Sequence, residues 1–220
     1  MERLPIILYT MPRSNGTALL FASDKTNKIS SLPEKVHNTD DISGIFPIID
    51  KIPDEDWKRT LLTINDADTI LRIFSYELFS SRKMRLWFES CEHNKTHNIF
   101  VLERKNLMDM SLSAIIARRF GYIKHKEILP FAFDADENDV MEIKFNIYCY
   151  MAYMPKTGKL INIENYPTEH FSNVDNVLEK QNSSSKFKYI NNLDWIREKV
   201  QDIIDFYQPD IDYKTSFLEK

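Results

Sequence analysis

Two stretches of the chain set a cation and hydroxyls at the end of an apolar run. The first, LYTMPRSNGTALLFAS (residues 8–23), places Arg13, Ser14, Asn15, Gly16 and Thr17 between such a run and a helical pattern. Backbone N–H groups and the dipole at a helix N-terminus favour an anion, and a turn of small residues lets a phosphate come close. Arg13 can add a charge-assisted contact, while the Ser14 and Thr17 hydroxyls can follow the phosphate oxygens. No Gly-Lys-Ser/Thr follows, so the turn is not a Walker A loop. A plain strand-to-helix connection with Arg13 in solvent accounts for the same residues.

The second stretch, FVLERKNLMDMSLSAIIARRFG (residues 100–121), repeats the arrangement with Arg104 at the end of the run. Asn106 is placed as an N-cap, with Asp109 three residues later completing a capping pattern. Ser113 then returns to the face of Asn106, whereas Ser111 points about 200° away from Ser113. Arg104 and Ser113 can converge on one anion. The competing reading pairs Arg104 with a carboxylate and makes Ser113 a small packing residue.

The elements that must hold these turns follow from periodicity. Branched-rich runs at 5–10, 69–75, 98–104 and 159–165 are bounded by turn residues, as buried strands are. Residues 78–92 and 107–120 are spaced as helices, the second stopping at Gly121. Strands alternating with helices predict an α/β fold with a central parallel sheet covered on both faces. Residues 142–154 suit a strand or a helix equally. Residues 171–190 read as a polar loop, and 191–207 as a capped amphipathic helix. No repeat or linker divides the chain, so one domain over 1–220 is expected.

A net charge of −4 argues against a general nucleic-acid coat or a polybasic membrane binder, so any anion site must be built locally. Cys91 and Cys149 read as buried small hydrophobes, and no apolar segment has the length of a membrane span or the layout of a secretory signal. A reduced, cytoplasmic protein is expected.

The Pro-Arg-Ser-Asn-Gly-Thr turn after the first strand, with a strand ending in Arg104 and a helix carrying Ser113 some ninety residues later, resembles the sulfotransferases that use 3'-phosphoadenosine-5'-phosphosulfate, in particular their compact bacterial and phage-borne branch. The resemblance covers residues 4–121 and departs at Asn15, where the family usually has glycine. It implies a three-layer sandwich like that of the P-loop nucleoside triphosphate hydrolases. It implies that Arg13, Ser14, Asn15, Gly16 and Thr17 hold the 5'-phosphosulfate side of the donor, and that Arg104 and Ser113 hold the 3'-phosphate. The reaction implied is metal-free sulfuryl transfer to a hydroxyl of a small molecule or carbohydrate, releasing 3',5'-bisphosphoadenosine, with Arg13 stabilising the charge on the leaving phosphate. The base implied is Glu34, which follows Leu-Pro about twenty residues after the turn, with His37 as its alternative. Lys186 and Lys188 are placed to close over the 3'-phosphate, as a basic C-terminal loop does in relatives.

Other features carry less. His93 and His97 are four apart but lack the glutamate of a zincin helix. The run from Asp134 starts like a calcium loop but has Asp139 where glycine is needed and Phe145 where a bidentate glutamate belongs, which predicts a solvated acidic loop. The aromatic residues from Phe131 to Tyr153, among them Tyr148, Tyr150 and Tyr153, suit an acceptor pocket or the core. Two further functions are compatible with the pattern: a kinase-like phosphotransferase, which would need a phosphate-gripping lysine and a magnesium carboxylate, and a non-catalytic nucleotide-binding protein.

Overall fold

The computed structural model describes residues 4–12, 16–29, 48–103, 106–121, 129–162, 165–171 and 184–218. Its strands β1 (Ile6–Thr10), β2 (Asn27–Ile29), β3 (Thr69–Phe74), β4 (Asn98–Leu102) and β5 (Lys159–Ile161) form one sheet in the order β2-β3-β1-β4-β5. Every pairing is parallel, with Leu8 opposite both Arg72 and Phe100. The helices are α1 (Gly16–Ala22), α2 (Ile48–Lys51), α3 (Asp54–Ile64), α4 (Ser75–Ser80), α5 (Arg82–Asn94), α6 (Leu107–Phe120), α7 (Glu137–Ala152) and α8 (Leu193–Thr215), with a 3-10 turn at Ser184–Tyr189.

Handedness distributes the layers. Parallel crossovers are right-handed, so connections running in opposite directions along a sheet lie on opposite faces. Only β1 to β2 runs toward the β2 edge; the other three run toward β5. The first therefore puts α1 on one face, the only helix there among the described residues, where Leu19, Leu20 and Ala22 meet Ile6, Leu8, Ile70, Phe100 and Leu102. The opposite face carries α3 to α8, packed on Ile7, Tyr9, Leu71, Ile73, Ile99 and Val101. Strand residues alternate between these cores, as a side-chain period of two requires.

Several sequence expectations are corrected. The single helix over 78–92 is two. Ser81, in an extended conformation, ends α4 and caps α5 by accepting from the Met84 N–H at 3.1 Å. Asp50 locks the break, accepting from the Ser81 hydroxyl at 2.9 Å, the Arg82 N–H at 2.9 Å and the Lys83 N–H at 2.8 Å. The ambiguous segment is helix α7, capped by Asp136, and the strand at 159 ends at Ile161. The short edge strand β2 has no apolar run to announce it. The described part of the expected polar loop includes the 3-10 turn, whose Phe187 is buried in the larger core, and α8 runs on through Pro209 to Thr215. Among the described residues no helix is long and apolar enough to cross a membrane.

Candidate functional site at the carboxyl edge of the sheet

β1 and β4 are neighbours, yet the chain leaves β1 toward one edge of the sheet and β4 toward the other. Open parallel sheets bind ligands where connections diverge in this way, in the crevice beyond the carboxyl ends of the strands. In the chain the two cationic turns follow β1 and β4 respectively, the strands whose carboxyl ends flank this crevice. Arg13, Ser14, Asn15 and Arg104, like Glu34 and His37, lie outside the described residues. Gly16 and Thr17 open α1, Gly16 buried and Thr17 exposed. Ser113 is buried on α6, while Ser111, on another side of that helix, leaves its buried hydroxyl without a hydrogen bond. The Asn106 cap is as expected: its side-chain oxygen accepts from the Asp109 N–H at 2.9 Å, and its amide donates to the Asp109 carboxylate at 2.9 Å. Lys188 is exposed over the Tyr189 ring, and Lys186 lies in the same 3-10 turn.

The sequence reading passed over the residue that organises the described part of this edge. Arg72 interrupts the apolar run TILRIF of β3 and projects beneath α1, where it is 8% exposed. Its Nη1 donates to Thr17 Oγ1, and its guanidinium lies 4.2 Å from the centre of the Phe74 ring. Its buried Nε makes no hydrogen bond, and no carboxylate forms an ion pair with it among the described residues. Burial lowers its pKa below the ordinary arginine value, and nearby Glu77 and Tyr76 act in the opposite sense.

Gly16 is explained by the same side chain together with Thr10. A Cβ there would stand 3.1 Å from Thr10 Cγ2 and 3.2 Å from Arg72 Cδ. Two side chains approach this glycine, Thr10 from β1 and the stem of Arg72 from β3. An arginine in an otherwise apolar strand was the available signal, since a buried charge without a carboxylate is costly unless something else compensates it.

Glu77 was also missed. It stands in the first turn of α4, immediately after β3, and its Oε2 accepts from the Phe74 N–H at 2.7 Å. Burial pushes its pKa up to about 7, although the Phe74 N–H and Arg72 both act to lower it. Tyr76 stacks on Phe74 with centroids 5.4 Å apart, and burial raises its phenol above the ordinary range. Thr17, Arg72, Phe74 and Glu77 thus form a connected series from the first turn of α1 to the first turn of α4. Perturbed ionisable groups gathered in this way mark candidate functional sites.

The other motifs resolve differently. The acidic run from Asp134 is not solvated throughout, because the side chain of Asp139 is fully buried. Its carboxylate accepts from Arg118 at 2.7 Å and Arg119 at 2.8 Å, Asp136 adds a contact to Arg119 at 2.7 Å, and Glu142 one to Arg118 at 3.2 Å. These bonds pin the end of α6 to the start of α7. His97 is a core residue, with Thr96 at 3.0 Å from Nδ1, the Ile64 carbonyl at 3.4 Å from Nε2 and Trp87 edge-on to its ring. Tyr150 is core as well, stacked on Tyr9, whereas Tyr148 is exposed. Among the described residues no group of three or more His, Cys, Asp or Glu is arranged to hold a metal.

Two clefts, of about 420 and 530 Å³, lie elsewhere: one at the amino ends of β4 and β5, the other between α5 and the end of α7. Neither is lined by a residue of the two cationic turns or by Arg72. The chain matches no family model, and no characterised protein or solved structure is significantly similar to it.

Proposed function

We propose that the protein is a sulfotransferase on a P-loop-like sandwich, which takes 3'-phosphoadenosine-5'-phosphosulfate at the carboxyl edge of its sheet and passes the sulfuryl group to a hydroxyl of a small molecule or carbohydrate. The observation that supports the reading is the adjacency of β1 and β4 with diverging connections, because the two cationic turns follow these two strands in the chain. A donor with phosphate groups at its 5' and 3' positions calls for two separated anion sites. On this reading Arg13, Ser14, Asn15, Gly16 and Thr17 serve the first, and Arg104 and Ser113 the second, with Lys186 and Lys188 closing over it. Arg72 fits an anionic ligand independently, as a buried guanidinium with an unused Nε beside Thr17.

Sulfuryl transfer asks the protein to align the acceptor hydroxyl, remove its proton and stabilise charge on the departing phosphate. Arg13 and Arg72 are the cations this reading assigns to the last task. Glu34 is the base the resemblance implies, with His37 its alternative. The two cysteines are free and buried, in keeping with a reduced, cytoplasmic setting.

The test is calorimetric titration with 3',5'-bisphosphoadenosine, 5'-AMP and ATP in the absence of magnesium. The expected result is a preference for the bisphosphate of at least tenfold. No binding, or a preference for ATP, overturns the reading.

A further inference from the structure

Among the described residues, Glu77 is a half-buried carboxyl at the carboxyl edge of the sheet with one oxygen held by a backbone N–H. We propose that Glu77, at the carboxyl end of β3, is the proton acceptor of the transfer, and that Arg72 is the positioning residue that couples it to the first turn of α1. The proposal rests on the sulfotransferase reading and names a base within it.

Three observations carry it. Glu77 is attached to the crevice edge, because β3 pairs with β1 and Glu77 follows the last residue of β3 by three positions. Its two oxygens are in different situations. Oε2 is occupied by the Phe74 N–H, and Oε1 accepts no hydrogen bond from any described residue. A base needs one oxygen to fix its orientation and another to receive a proton. Finally, the guanidinium that stacks on Phe74 also holds Thr17, so the carboxylate and the loop end are tied through one side chain.

Among the described residues, three charged or titratable groups act on Glu77 or its neighbour Tyr76. Arg72 of β3 is the charged group whose field acts on it, Tyr76 lies beside it on α4, and Glu142 of α7 reaches the same side through Tyr76. A carboxyl whose pKa stands near 7 is half ionised at neutral pH and is matched to taking a proton there.

The step balances without any further reactant. As the acceptor oxygen bonds to sulfur, its proton passes to Glu77 Oε1. The bond from sulfur to the bridging phosphate oxygen breaks, and its electron pair leaves with 3',5'-bisphosphoadenosine. The proton returns to solvent once the products have left.

Glu77→Gln separates this role from helix capping, because glutamine keeps an oxygen for the Phe74 N–H but cannot take a proton. The expected result is a fall in kcat of about 10²-fold or more, with the Kd for 3',5'-bisphosphoadenosine changed less than about threefold. Glu34→Gln is measured beside it. Loss of turnover in Glu34→Gln with turnover retained in Glu77→Gln overturns the proposal while leaving the donor reading intact, whereas absence of bisphosphate binding in the unaltered protein overturns both. A readout independent of turnover is the pH titration of the Glu77 side-chain carboxyl carbon by NMR in the free protein. A midpoint near 7 that moves upward in Arg72→Met supports the assignment, and a midpoint at the ordinary 4.5 rejects it.

Discussion

Two buried charges in this protein are handled in opposite ways. The Asp139 carboxylate has no exposed side-chain surface and is held by two arginines, with Asp136 and Glu142 extending the network. Arg72 is almost as deeply buried, and among the described residues it has a hydroxyl and an aromatic face for company but no ion-paired carboxylate. The first arrangement is closed: its charges are spent on joining α6 to α7. The second is open, with a buried donor still unused, and it stands at the sheet edge where ligands of parallel α/β proteins bind. Complete pairing marks a joint, and an unused buried donor is what the proposed anion would satisfy.

The contrast can be broken experimentally, beginning at the joint. Asp139→Asn leaves Arg118 and Arg119 facing a neutral group and should cost about 3 kcal/mol of stability, read from the denaturation midpoint, with little change in nucleotide affinity. A loss under about 0.5 kcal/mol would show that the network is ornamental and remove half of the comparison.

A smaller effect is expected from pH. Glu77 has a folded pKa raised from 4.5 to about 7, so between those values the folded protein keeps a proton that the unfolded chain has released. The stability this contributes is fully present below about 4.5 and is lost as pH rises through about 7. The expected loss is about 2 kcal/mol, allowing for partial exposure of the side chain. It is read as the difference between the stability curves of the unaltered protein and Glu77→Gln. Parallel curves would show an ordinary carboxylate.

The smallest change in stability should come from Arg72→Met, which removes a desolvated cation along with one hydrogen bond and one ring contact. The balance should lie within about 1 kcal/mol of zero. Affinity for 3',5'-bisphosphoadenosine should nevertheless fall at least tenfold. A large loss of stability with unchanged affinity would make Arg72 a joint like Asp139.

The large parts of this fold were legible in the sequence, because buried parallel strands write themselves as branched apolar runs and helices as amphipathic ones. The central strands lie within about two residues of where the runs at 5, 69 and 98 place them. What failed had local causes. The Ser81 break depends on Asp50, some thirty residues away, and β2 is an edge strand with two exposed residues out of three. Residues 142–154 carried both periods, and the cap at Asp136, itself paired with Arg119, goes with the helix. The site was half legible. Turns after strands announce themselves by residue type, whereas Arg72 and Glu77 matter only through what folding places around them. A charged residue within an apolar strand was nonetheless visible from the start.

The uneven layering has a further consequence for how the molecule breathes. Cooperative units with little buried apolar surface open at lower free energy than the rest. Among the described residues, the seven-residue α1 and its small core form such a unit, set against the much larger assembly on the other face. Arg72 lies beneath that thin cover. Among the described layers, the one whose displacement would uncover the unused guanidinium is therefore the less costly to disturb, and access to it need not loosen the helices packed on the other face.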